Sequence, residues 1–383
     1  MKPSGTVDLS FGTAAGRWAR LGPYYAMFPL AFAEAVVTLH TQPADTVIDP
    51  FCGRGTTPFV AMVYARQAVG CDVNPVAWLY AKTKTDPHSD PAAVQRRIGE
   101  IGAAVTPDDR SPANRFQELA FCPAVLGFVH AARRELAWRS NRLDRTVATL
   151  LVQHLHDKLG RGLSNQLRHS RALAPRYSIR WWLAHGYHRP PQIDPVDFLR
   201  RRTTWRYAQG IPRPPAGEPP AIGLGPAATT LPPTRGPAAL VLTSPPYSGV
   251  TNYRVDNWLR LWALGAGPPL PDWDLAQKFV DPAAYARMLR ESMTNTRART
   301  DAQTVWYVRS DARARTRDVI EAVMAEMLPD HRGYYRPAPY RAQTQTALYG
   351  DSAPKPGEVD LLYVPPRYRR RGFTLDFDPL ARS

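Results

Sequence analysis

The chain has 383 residues, with 49 Lys+Arg against 33 Asp+Glu and a formal net charge of +16. With 44% hydrophobic residues and 10 Trp it can bury a sizeable core, which argues against disorder as a whole. No apolar run reaches the roughly 20 residues needed to span a bilayer, and the N-terminus lacks an apolar signal core, so no membrane partner is expected and a cytoplasmic location is. Cys52, Cys71 and Cys122 are too few and too scattered for a disulfide framework or a thiolate metal site, so no metal is expected. Of the 49 cationic residues, 43 are Arg. Residues 110–235 hold 20 Lys+Arg but only seven Asp+Glu, so most of the positive field lies in one third of the chain. Such a field attracts polyanions, nucleic acid first among them.

In chain order, residues 24–40 read as a short amphipathic helix with Pro29 in its first turn. Thr46 to Ile48 is a buried strand running into Asp49-Pro50 and the loop 51–57, and Pro58 to Arg66 follows as a helix. Val69 to Val73 is a second strand and Pro75 to Lys82 opens another helix. Strand, glycine loop, helix, strand and helix within about 40 residues make a βαβ unit with a parallel sheet behind it. Residues 86–110 read as a polar, partly helical connection, and Asn114 to Leu159 as helical. From 160 to 210 the chain is basic and aromatic, and 211–237, rich in Pro and Gly, reads as a linker. Ala238 to Thr243 is a strand, 254–264 an amphipathic helix, 304–308 a strand and 312–327 a helix; 334–349 and 358–364 read as late strands. The expected organisation is a first half at 1–110, a basic helical insert at 111–237 and a second half at 238–383.

Two segments carry chemistry. In the loop Asp49-Pro50-Phe51-Cys52-Gly53-Arg54-Gly55-Thr56-Thr57, the two glycines allow positive φ and close approach of backbone to a ligand, ahead of free helix N–H groups. No Gly-Lys-Ser/Thr follows, so it is not a phosphate-binding P-loop, and no third glycine marks a dinucleotide site. Asp72 ends the next strand, where a carboxylate can accept ribose hydroxyls, and Val73-Asn74 follows. An adenosine ligand without a phosphate chain suits this unit, and S-adenosylmethionine is one; Asp49 is then placed to meet its cationic methionine end. The second segment, Ser244-Pro245-Pro246-Tyr247, follows an apolar strand. Its prolines remove two N–H donors and leave an acceptor-rich loop, which suits an amine poised for methylation, and Tyr247 offers a flat face to an extruded base. Neither segment presents a cysteine nucleophile outside the cofactor loop, which argues against methylation at a ring carbon. Cys52 and Cys71 read as small buried fillers.

Together, the loop 49–57 and Thr243-Ser244-Pro245-Pro246-Tyr247 resemble the DNA amino-methyltransferases, and the tetrad is most similar to the cytosine-N4 branch, with the cofactor motif first. That resemblance covers roughly residues 23–85 and 238–364. It implies a Rossmann-like doubly wound α/β sheet with a largely helical basic insert, and S-adenosylmethionine as cofactor held by Asp49, Pro50, Phe51, Gly53, Gly55, Thr56, Asp72 and Asn74, with Phe28 in the first cofactor motif. It also implies catalysis at Ser244, Pro245, Pro246 and Tyr247, and DNA as partner. Adenine-N6 transfer, RNA methylation and a nucleic-acid-binding protein with an inactive core remain as alternatives. In the insert, Arg168, Arg176, Arg180, Arg200, Arg201 and Arg202 are the expected nucleic-acid contacts, interleaved with Tyr177, Trp181, Trp182, Tyr187, Trp205 and Tyr207. A restriction endonuclease partner is compatible with this class but not inferable from the chain.

Overall fold

A computed structural model describes residues 7–24, 28–215, 217–249, 252–268, 279–338, 357–368 and 376–380. Among these, one eight-stranded sheet is built from β1 (Thr46–Asp49), β2 (Gln67–Asp72), β3 (Ala221–Leu224), β4 (Ala238–Thr243), β5 (Thr300–Asp311), β6 (Arg332–Ala338), β7 (Glu358–Val364) and β8 (Asp378–Pro379). Their order is β3-β2-β1-β4-β5-β7-β6-β8. The first five in that row pair in parallel, and β7, β6 and β8 close the sheet antiparallel. Both faces are covered. Helices Leu30–His40, Thr56–Val63 and Pro75–Thr85 contribute to one apolar cluster, and Pro282–Arg297 and Ala314–Met327 to the other. This is the doubly wound, Rossmann-like α/β architecture.

Six of the 39 prolines start helices. Pro75, Pro91, Pro123, Pro175, Pro195 and Pro282 each stand in the first turn of one. There the missing N–H has no intrahelical partner to lose, and the ring fixes a helical φ. Asn74, Asp90, Asp194 and Asp281 precede four of these prolines and cap the helices by accepting from backbone N–H groups.

Three expected elements need correction. The helix expected from residue 24 starts at Leu30, with Pro29 as its extended N-cap, because a proline disfavours helical backbone in the residue before it. The stretch 211–237 is not simply a linker. It contains β3, which pairs with β2 from Val69↔Ala221 to Asp72↔Leu224, and the short helix Ala227–Thr230. Four residues flanked by Pro and Gly are too short a run to read as a strand. The helix expected at 254–264 is two, Tyr253–Asp256 and Trp258–Ala263, broken at Asn257. Most of the expected strand 334–349 lies outside the described residues.

The helical part of the insert thus occupies the crossover from β2 to β3. It packs into the same core as the sheet's helices rather than standing apart. Thr83 and Thr149 hydroxyls meet at 2.7 Å, and Trp138 Nε1 donates to Leu264 O at 3.1 Å. Arg260, fully buried, donates to the carbonyls of Val152, His169 and Ser170.

Candidate active site

β1 and β4 are parallel neighbours, with Val47 opposite Leu240 and Ile48 opposite Val241. The two motif loops therefore leave the sheet side by side at the strands' C-terminal ends, where open α/β sheets bind ligands. A direct bond joins them: Thr243 Oγ1 donates to Asp49 Oδ1 at 2.7 Å, across 194 positions of sequence. One cavity is lined by Phe28, Asp49, Pro50, Phe51, Gly53, Thr56, Asp72, Asn74, Ser244, Pro246 and Tyr247. Of the motif residues expected at the site, only Gly55 and Pro245 stay off its wall.

Gly55 has a structural task. It caps helix Thr56–Val63 at φ +80°, and a Cβ there would meet Ala81 Cα at 2.7 Å. Gly53, at φ +52°, faces open space, so its backbone is free to approach a ligand. The loop is tied to the end of β2, since Gly53 N donates to Asp72 Oδ2 at 3.0 Å while Asn74 N donates to Oδ1 at 2.8 Å. Burial pushes the Asp72 carboxyl up to about 6, against these two hydrogen bonds. Asp49 is 2% exposed, and burial pushes its carboxyl up to about 7 against hydrogen bonds led by that from Thr243. Two partly protonated carboxyls on the floor of one cavity can be ionised by a cationic ligand.

The proline tetrad opens a chain of hydrogen bonds. Ser244 Oγ lies 3.4 Å from Tyr247 OH, which donates to Glu358 Oε1 at 3.0 Å. Burial, then the Glu358 charge, hold the phenol well above its ordinary range, so it keeps its proton.

Several wall residues carry no local sequence signal. Glu358 comes from the first residue of β7, 111 positions beyond Tyr247. Tyr24 and Tyr253 stack at 5.9 Å and close one side. Gly225, Pro226 and Ala227 follow the unexpected β3. Arg54 also lines the cavity and donates to Gly22 O at 2.9 Å, anchoring the segment that carries Tyr24.

The basic insert divides. Arg168, Arg176 and Arg180 are exposed and, among the described residues, form no ion pair. Arg201 pairs with Asp197, Arg200 donates to Gln95 O, and Arg202 donates to Arg161 O and lies over the Phe198 ring. Trp182 and Tyr207 belong to the core. Trp181 stacks between His185 at 4.2 Å and Tyr187 at 5.4 Å, and Tyr177 and Trp205 are exposed. Among the described residues no group of His, Cys, Asp or Glu could hold a metal ion, and no helix is long and apolar enough to cross a membrane.

Comparison with known proteins gives partial matches. The family model for DNA methylases of the N6/N4 type matches residues 9–82, which carry β1, the glycine loop, β2 and Asp72. The chain is 40% identical over 53 residues to Type II methyltransferase M.SmaI of Serratia marcescens, and 39% identical over 54 residues to Type II methyltransferase M.Cfr9I of Citrobacter freundii. Each match covers 14% of this chain and 18% of the relative. Among solved structures, the rRNA methyltransferase aviRa from Streptomyces viridochromogenes aligns over 80% of this chain and 84% of its own, at 17% identity and a TM-score of 0.30. Residues 9–82 are thus similar to DNA methylases of the N6/N4 type, and Thr243, at the end of the strand that leads into the proline tetrad, is bonded to the glycine loop of that stretch.

Proposed function

We propose that this chain transfers a methyl group from S-adenosylmethionine to the exocyclic N4 amine of cytosine in DNA. The observation that carries this reading is the Thr243–Asp49 hydrogen bond, which seats the acceptor-rich tetrad beside the cofactor loop in one cavity.

The residues suit that cofactor. Asp72 uses one lone pair on each oxygen for backbone N–H groups; a carboxylate has about four lone-pair sites, so about two remain for the ribose hydroxyls. Asp49 is set to meet the cationic methionine end and to lose its proton as it does. When bound, the cofactor supplies an electrophilic methyl group on a positively charged sulfur. The chain's own part is to place the amine. Ser244 Oγ and the backbone carbonyls of the proline loop accept its hydrogens, which turns the nitrogen lone pair toward the methyl group. No covalent intermediate is needed, and the tetrad offers no nucleophile for one. A base inside a duplex cannot be reached in line, so the target leaves the stack and rests on Tyr247. The serine of the tetrad favours cytosine over adenine.

Mass spectrometry of nucleosides from a host that otherwise lacks both modified bases tests the assignment. N4-methylcytosine is expected; N6-methyladenine alone overturns the base. Tyr247→Ala should lose most activity, by roughly a hundredfold or more if stacking and orientation both fail, while S-adenosylmethionine binding persists by calorimetry.

A further inference from the structure

We propose that Glu358 is a positioning residue that fixes the direction of the Ser244–Tyr247 hydrogen-bond chain, so that Ser244 can only accept from the target amine. The inference rests on the reading of this cavity as an amine methyltransferase site.

An ionised carboxylate has lone pairs and no hydrogen to give. Tyr247 OH, 3.0 Å from Glu358 Oε1, must therefore donate to it. A phenol has one hydrogen, so toward Ser244 the same oxygen can only accept. The Ser244 hydrogen then points at Tyr247, and its lone pairs face the cavity. The Ser244–Tyr247 separation of 3.4 Å is long for a bond between hydroxyls, whereas 3.0 Å to a carboxylate is ordinary. Glu358 rather than Ser244 thus orients the phenol. Were the chain reversed, the Ser244 hydrogen would face the hydrogens of the amine it has to hold.

Glu358 is itself held on a rigid base. Arg309 Nη1 lies 3.6 Å from Glu358 Oε2, while Nε and Nη2 of the same guanidinium bond both oxygens of fully buried Asp360 at 2.7 and 3.0 Å. Arg336 Nη2 reaches Asp360 at 3.0 Å, and the Arg309 guanidinium lies 3.5 Å over the Phe32 ring. Glu358 and Asp360 are two apart on β7 and share a face. The antiparallel end of the sheet therefore builds a charged platform whose outermost member is the carboxylate at Tyr247.

Glu358→Gln tests the proposal, because glutamine has the same shape and can either accept from the phenol or donate to it. Expected is a kcat lower by roughly tenfold to a hundredfold, with the KM for DNA and the affinity for S-adenosylmethionine within about threefold of wild type. Tyr247→Phe, which keeps the ring and removes the hydroxyl, should lose a similar factor, and Glu358→Gln should add nothing on a Ser244→Ala background. Wild-type kcat in Glu358→Gln, or losses that multiply with those of Ser244→Ala, would overturn the proposal. A second readout is independent of activity. In protein labelled at tyrosine Cζ with carbon-13, the resonance missing from Tyr247→Phe must move in Glu358→Gln, and an unmoved resonance refutes the hydrogen-bond chain. Wild-type protein that leaves DNA unmethylated would sink the methyltransferase reading instead, and the carbon resonance would still judge the chain.

Discussion

Asp49 and Asp72 titrate near 7 and 6 in the fold because burial opposes their charged forms. In an unfolded chain both would lose their protons near pH 4. The folded state therefore holds protons at these two groups that the unfolded state has released, so their contribution to ligand-free stability is greatest below about pH 4 and declines as pH rises toward 6 to 7. A bound cation favours the carboxylates and works the other way. Asp49→Asn separates these effects, since Asn Oδ1 can still accept from Thr243 Oγ1 and Phe51 N, both of which bond Oδ1 in the wild type. The ligand-free variant should melt higher than wild type at pH 8, the gap closing toward pH 4, and should bind S-adenosylmethionine roughly tenfold more weakly or worse. Calorimetric melting across pH 4 to 8 checks this; curves for the two proteins that run parallel would refute the assignment of the shifted proton to Asp49.

The elements that position the site differ in how openly the sequence declares them. β1, β2, β4 and β7 are readable because each is an apolar run closed by a turn residue, and the glycine loop and the tetrad are readable because both follow such runs. β3 is hidden by its length and by its Pro and Gly neighbours, and Gly223 there has no room for a side chain, with Thr230 O 2.2 Å from where its Cβ would stand. Glu358 is hidden for a different reason: nothing local marks a glutamate opening a strand, and its partner Tyr247 stands on the loop after β4, brought near only by the sheet. The two loop glycines look equivalent in sequence and are not so in space. Gly55→Ala combines left-handed strain with a clash against helix Pro75–Thr85 and should cost about 2–4 kcal/mol. Gly53→Ala carries the strain alone, about 1–2 kcal/mol. Urea denaturation of the two variants measures the difference, and equal losses would mean that the helix gives way to the new methyl group.

For the molecule as a whole, the insert is a docked shell carrying most of the excess positive charge, and it shares its core with the sheet's helices. If its free arginines meet DNA phosphates, replacing Arg168, Arg176 and Arg180 together should flatten the salt dependence of binding by up to about 0.9 in log–log slope for each phosphate no longer neutralised. Replacing Arg201, already paired with Asp197, should change it less. An unchanged slope in the triple variant would make this face a solvated one. The insert's place in the chain also bears on how the protein is made. β1 has its parallel partners β2 and β4 on either side, but β2 follows it at once while Thr243, the partner of Asp49, is 194 positions away. At roughly 5–20 residues per second, a ribosome takes roughly 10–40 s to cover that distance. For that interval the nascent chain has a finished strand with one open edge, and the helices of the insert are synthesised before the strand that will close it. Newly made chains of this protein thus pass through a stage at which their central strand is an exposed pairing edge, open to chaperones or to another nascent copy.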